Sequence, residues 1–98
     1  MVRHILIWKI RRGVPDPERI LNEAKSEIEA LQGSIEGLKS VKVFLYPLAS
    51  SSADAMIECT FDGPGGLSAY KAHPAHIAVA NKYIRPFAET KLSFDIEE

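Results

Sequence analysis

Residues 2 to 11, VRHILIWKIR, constrain the fold more than any other stretch. The run is rich in β-branched and aromatic residues and too short for a stable helix, so it reads as a strand. Successive side chains on a strand point to opposite faces. Val2, His4, Leu6, Trp8 and Ile10 fall on one face; Arg3, Ile5, Ile7, Lys9 and Arg11 fall on the other. Both faces carry large apolar groups, and both need cover. A chain of 98 residues suggests one domain, over residues 1–98, with a single thin core. One layer of helices covers one face of a small sheet, so the other face points to a second subunit.

The rest of the chain alternates in kind. Asp16 stands at an N-cap position before Pro17, and Ile20, Ala24, Ile28, Leu31 and Ile35 recur at helical spacing, predicting a helix over about 17–32. Lys25 and Glu29 form an i,i+4 pair on its solvent side, and Gly33 suits its C-terminus. LKSVKVFLYP, 38–47, and DAMIECTF, 54–61, alternate as strands, with Pro47 and Ser50 to Ser52 between them as a loop. GPGG, 63–66, lacks the Lys-Ser/Thr ending of a P-loop and the spaced glycines of a dinucleotide site, so it reads as a turn and implies no cofactor. A short helix over 67–72, a second from Pro74 to about Arg85 and a strand KLSFDI, 91–96, complete the order β-α-β-β-α-β. That order predicts an α+β, ferredoxin-like fold: an antiparallel four-stranded sheet with helices on one face. The bare face, with Ile5 and Ile7, is expected to pack on a second copy of the chain.

The net charge of −1 gives no electrostatic case for nucleic acid or an anionic membrane as partner. Lys9, Arg11 and Arg12 read as a solvated strand edge. No apolar run approaches the roughly 20 residues of a membrane-spanning helix. Cys59 is the one cysteine, and the opening MVRHILIWKIRR lacks a small-residue cleavage site, so a cytoplasmic, reducing location is expected. Cys59, in mid-strand, reads as core rather than nucleophile.

The segments DAMIECTFDG, LSAYKAHPAH and SFDIEE resemble the stress-responsive α/β barrel domain family. The resemblance rests on Asp54 opening a strand and Phe61 closing it, on Tyr70, on His73-Pro74-Ala75-His76, on Asp95 in the last strand and on His4 in the first. It implies a dimeric α+β barrel built from two ferredoxin-like subunits, with a pocket between each sheet and its helices. Family members vary in function; one plant branch cyclises polyketides by aldol chemistry. By that resemblance His76 would be a general base, with Tyr70 and His4 orienting the substrate. The tyrosine that the cyclising branch carries on helix one is missing from NEAKSEI, 22–28.

The residues themselves allow that role, and equally a structural one in which Tyr70 and His76 satisfy backbone groups and each other at a helix corner. A residue before proline is driven out of helical geometry, so His73 should end one helix and Pro74 start the next. His76 then lies in a first helical turn, where the positive end of the helix dipole favours a neutral ring. A neutral, partly buried imidazole accepts a proton near neutrality. Tyr70 and His4 would supply a donor and an orienting group if they reach the same cavity. Leu6, Trp8, Tyr83 and His73 are expected to line it. His73 also reads as a cap, Trp8 as core filling, and His4 as a satisfied core histidine. No metal is expected, because Pro74 breaks the i,i+3 geometry of His73 and His76 and no second cysteine or adjacent carboxylate joins them. The sequence reading is a homodimer binding a small, aromatic or polyketide-like molecule, with His-based lyase or cyclase chemistry. A non-catalytic structural or regulatory dimer is the alternative, and a monooxygenase-like dimeric barrel a lesser one resting on shared architecture alone.

Overall fold

Strand alternation sets the architecture. In the computed structural model, which describes residues 1–98, the elements are β1 (Val2–Ile10), α1 (Pro17–Glu29), β2 (Ser40–Phe44), β3 (Ala55–Phe61), α2 (Pro64–Ala72), α3 (Pro74–Val79), a π-helical turn (Ala80–Ile84) and β4 (Ala88–Glu97). The strands pair antiparallel in the order β2-β3-β1-β4, the ferredoxin-like arrangement. Pairing lines residues up in rows across the sheet. Val41, Cys59, His4 and Asp95 form one row; Val43, Ile57, Leu6 and Ser93 form the next. Both rows lie on the face that α1 and α2 cover. They run from apolar at β2 to polar at β4, so the side of the sheet near β4 is where a polar site can form.

The opposite face is bare. Ile7 pairs with Met56 and Leu92, Met56 with Phe44, and Ile5 with Phe94. Leu92 is 62% exposed and Phe94 64%. The Arg3–Glu58 ion pair, 3.3 Å, borders this apolar band. The two edges of the sheet are handled differently. At β2, Glu29 accepts from the Val43 N–H at 2.9 Å and Lys25 donates to the Val43 carbonyl at 2.6 Å. Lys25 and Glu29 are therefore not a solvent-side pair; they finish the hydrogen bonding of an edge strand. The Glu29 carboxyl accordingly sits below its ordinary range: burial opposes this, and the bonds from Lys25 and Val43 outweigh burial. β4 has no such cover.

Several boundaries differ from the sequence reading. Asp16 is left-handed (φ 53°) and makes no side-chain cap; its carboxylate takes the Arg19 Nε–H at 3.0 Å instead. Helix α1 ends at Glu29, and Leu31 and Ile35 are buried in the turns that follow, where Gly33 (φ +88°) supplies one reversal. Strand β2 is shorter than expected and β4 longer. GPGG is not merely a turn: Pro64 starts α2, with Gly65 and Gly66 in its first turn. A Cβ on Gly66 would stand 3.2 Å from the Phe61 Cβ, so this glycine lets α2 sit close on β3. Asp54 fastens the other end of the sheet by accepting from the Ile10 N–H at 2.8 Å, beside the irregularity at Lys9/Ile10.

Candidate functional site

The close approach of α2 places Tyr70 in the core, 2% exposed, its ring 5.4 Å from that of Phe61. His73 then leaves the helix in extended geometry (φ −69°, ψ 132°), as a residue before proline should. Its Nδ1 accepts from the Ala75 N–H at 3.0 Å, capping α3. His73 thus caps α3 and does not line the cavity described below. Three residues after His73, His76 packs against Tyr70, ring centroids 4.3 Å apart, and the His4 ring lies 6.2 Å from that of Tyr70.

His4, Tyr70 and His76 border one cavity of about 260 Å³ between the helix-side face of the sheet and the α3 segment. Leu6, Ile57, Val79 and Ile84 give it an apolar interior. Besides His73, two expected wall residues lie elsewhere. Trp8, 2% exposed, belongs to the core. It is four residues along β1 from His4, a separation of about 13 Å on a strand, too far to reach the same void. Tyr83 is displaced by the π-helical turn. In an unbroken helix position 83 would share a face with 76; the i→i−5 bond from the Arg85 N–H to the Ala80 carbonyl, 2.9 Å, adds a residue to the turn. Ile84 takes the inward position, and Tyr83 lies alongside Lys82, whose Nζ is 5.3 Å from its ring.

The protonation pattern follows from the partners. The His76 Nδ1 faces the Lys71 carbonyl at 3.3 Å. A carbonyl only accepts, so Nδ1 carries the hydrogen and Nε2 keeps its lone pair. Burial lowers the His76 pKa below its ordinary value; the Lys71 carbonyl opposes this, and the positive charges of His4, Arg85 and Lys71 reinforce it. The ring is therefore a neutral base. His4 is tied through Nδ1 to Asp95, which lies directly opposite it on β4, and Asp95 is 3.4 Å from the Lys71 Nζ. Burial would raise the Asp95 carboxyl; the His4 hydrogen bond and charge, with Lys71, hold it below the usual carboxylate range. Burial pushes the Tyr70 phenol well above its ordinary value, so it stays protonated and can donate. The Cys59 Sγ–H points to the Tyr70 oxygen at 3.9 Å, and burial pushes that thiol up to about 11, which leaves it inert.

Asp95, Lys71, Arg85 and Lys91 also shape the site, and the sequence reading did not place them in it. Asp95 was legible only as a motif position. Its contact with His4 spans 91 residues of chain, and the alternation Lys91, Ser93, Asp95 on a helix-side strand face was the available sign. No group of three or more His, Cys, Asp or Glu is arranged to hold a metal. A larger groove of about 440 Å³ lies between the β1–α1 turn and the β2–β3 connection, with Arg11, Arg12 and Tyr46 on its walls. It contains no histidine and does not touch the Tyr70–His76 set. No helix is long and apolar enough to cross a membrane.

Fold and site together define an α+β protein of the ferredoxin-like class with a cavity under its helices. The chain belongs to the stress responsive A/B barrel domain family, whose family model matches residues 2–98. Among solved structures it is similar to a dimeric, ferredoxin-like protein of unknown function from Bacteroides fragilis, with 28% identity, 99% and 95% of the two chains covered and a TM-score of 0.89. A dimeric ferredoxin-like protein of unknown function from Thermobifida fusca matches at 22% identity over 99% and 90%, with a TM-score of 0.84. The hydroxynitrile lyase of Passiflora edulis shares the fold, at 16% identity over 99% and 94% and a TM-score of 0.80. A comparison with curated protein sequences gives no match.

Proposed function

We propose that residues 1–98 form one domain of a homodimeric, cytoplasmic protein that binds a small, apolar or aromatic molecule in the cavity beneath its helices and acts on it through His76. The observation that carries this reading is the convergence of His4, Tyr70 and His76 on one void of about 260 Å³ with an apolar interior. Such a space suits a single-ring ligand, and a few polar groups on apolar walls are the usual make-up of a ligand site. The dimer is supported by the bare apolar sheet face and by the dimeric state of similar proteins. The free, buried Cys59 accords with a reducing compartment.

The chemistry that fits is proton removal next to a carbonyl. The Nε2 of His76 takes a proton from carbon, and the electron pair moves onto the carbonyl oxygen, where the Tyr70 O–H stabilises the growing negative charge. The resulting carbanion equivalent adds to a second carbonyl of the same molecule, as a cyclase requires. Run backwards, the same groups break a carbon–carbon bond, as a lyase requires. His4, held by Asp95 and bordering the same cavity, orients the ligand.

The experiment is a thermal-shift screen of small aromatic ketones and β-dicarbonyl compounds against the wild type and His76→Ala. The expected result is a ligand that stabilises the wild type and stabilises His76→Ala less. Where the ligand also turns over, His76→Ala should lose about 10²- to 10⁴-fold in rate, the usual worth of a positioned general base. A ligand that stabilises both proteins equally counts against His76 and favours a binding protein without catalysis. The monooxygenase-like reading has only the shared fold behind it.

A further inference from the structure

We propose that the molecule this cavity takes is an apolar acid, its carboxylate held at the mouth by Arg85 and Lys91. The inference rests on the cavity being a ligand site and adds the chemical class of what enters it.

Three cations border the cavity, from three separate parts of the chain: Lys71 near the end of α2, Arg85 after the π-helical turn and Lys91 on β4. No Asp or Glu lines it. Asp95, which borders the site through His4, is engaged by His4 and Lys71. The Arg85 guanidinium makes one hydrogen bond within the chain, 2.7 Å from Nη1 to the Oδ1 of the neutral Asn81 amide. Neither Arg85 nor Lys91 takes part in any ion pair of the structure. The chain as a whole has 12 basic and 13 acidic residues, so this excess of positive charge is local and not a share of a basic surface.

Charge and apolar wall are separated along the cavity. Leu6, Ile57, Val79 and Ile84 provide surface for a hydrocarbon body. The cations stand at the rim, where an anionic head keeps part of its hydration. A guanidinium matches a carboxylate in a two-pronged, planar fashion, and a lysine adds a point charge beside it. The π-helical turn has a purpose in this arrangement. By adding a residue to the turn it replaces Tyr83 with Ile84 on the wall and brings Arg85 to the mouth. The positive field of Arg85 and Lys71 that favours neutral His76 favours a bound anion for the same reason.

The test is calorimetric titration of the wild type, Arg85→Gln, Lys91→Gln and the double variant with 4-phenylbutyrate and, separately, its amide, at low and high salt. Histidine resonances are followed in parallel to locate binding. The wild type should bind the acid about tenfold more tightly than the amide, the size of a charge-assisted hydrogen bond to the head group. The preference should shrink in each single variant, vanish in the double variant and weaken with salt. Both side chains are exposed, so melting temperatures should stay close to that of the wild type. Lys91→Glu is the additional variant, and it should reverse the preference. An amide that binds as tightly as the acid, or a double variant that keeps the preference, overturns the carboxylate inference while leaving the cavity a ligand site. Absence of binding by both compounds to the wild type, with unmoved histidine signals, overturns the cavity reading and this inference with it.

Discussion

Replacing Phe94 by Asp is expected to break the proposed dimer into monomers. Phe94 lies in the middle of β4, 64% exposed, paired with Ile5 on the face that no helix covers. Leu92, Ile96, Ile7 and Phe44 continue the same apolar band across the sheet. Two such faces packed together remove the band from water, and a central aromatic residue of such an interface is worth about 2–4 kcal/mol. An aspartate there loses that contribution and also brings an unpaired charge into an apolar contact. The dimer should therefore weaken by roughly 10³-fold or more, since about 1.4 kcal/mol corresponds to each factor of ten. Sedimentation velocity across micromolar concentrations reads this directly. Two results count against the account: a wild type that sediments as a monomer throughout, and a Phe94→Asp variant as dimeric as the wild type.

The second large effect concerns Tyr70, which is both core and site. Its ring is 2% exposed, packed on Phe61 and stacked near His76. Truncation to alanine should cost about 3–5 kcal/mol, the range for removing a buried aromatic ring. A domain of this size has about 5–15 kcal/mol to lose, so Tyr70→Ala should be close to unfolding. Tyr70→Phe keeps the ring and removes only the oxygen that meets Cys59, and should cost about 1 kcal/mol. Urea denaturation at one fixed protein concentration measures both, because dimer stability depends on concentration. A Tyr70→Ala midpoint within experimental error of the wild type would mean that the ring is not part of the packing. The pair also separates structure from chemistry: Tyr70→Phe should be folded yet deficient in any reaction that needs the phenol hydrogen.

The sequence carried the sheet well because strand alternation is a local signal. His4, Leu6 and Trp8 share one face of β1, and Ile5 and Ile7 the other, from period two alone. Pro74 made the helix corner legible too, since proline acts on the residue directly before it. Features that depend on longer range or subtler backbone choices were not legible. Nothing in ANKYI announces a π-helical turn, so Tyr83 was placed where Ile84 stands. Asp16 has the right side chain and position for a cap, but its left-handed backbone and its bond to Arg19 divert the carboxylate. Trp8 has the right face and the wrong distance. The His4–Asp95 bond and the place of Lys91 at the mouth depend on the register between β1 and β4, near the two ends of the chain. His73 illustrates a different limit. Its place before Pro74 reads mostly as a cap, with a place on the pocket wall beside it, and the hydrogen bond from the Ala75 N–H is the capping contact.

The central claim is that His76 is a neutral base whose Nε2 is available inside a ligand cavity. Nitrogen-15 resonances of the imidazole rings, followed against pH, test it most directly, and with three histidines in the chain the assignment is tractable. The account predicts that His76 is the Nδ1–H tautomer near neutral pH and takes up its proton at a pH below the ordinary histidine value of about 6.5. It predicts further that saturating 4-phenylbutyrate shifts the His76 Nε2 signal and leaves His73 unmoved. A His76 that carries its hydrogen on Nε2, titrates at or above the ordinary value and ignores the ligand would contradict the account.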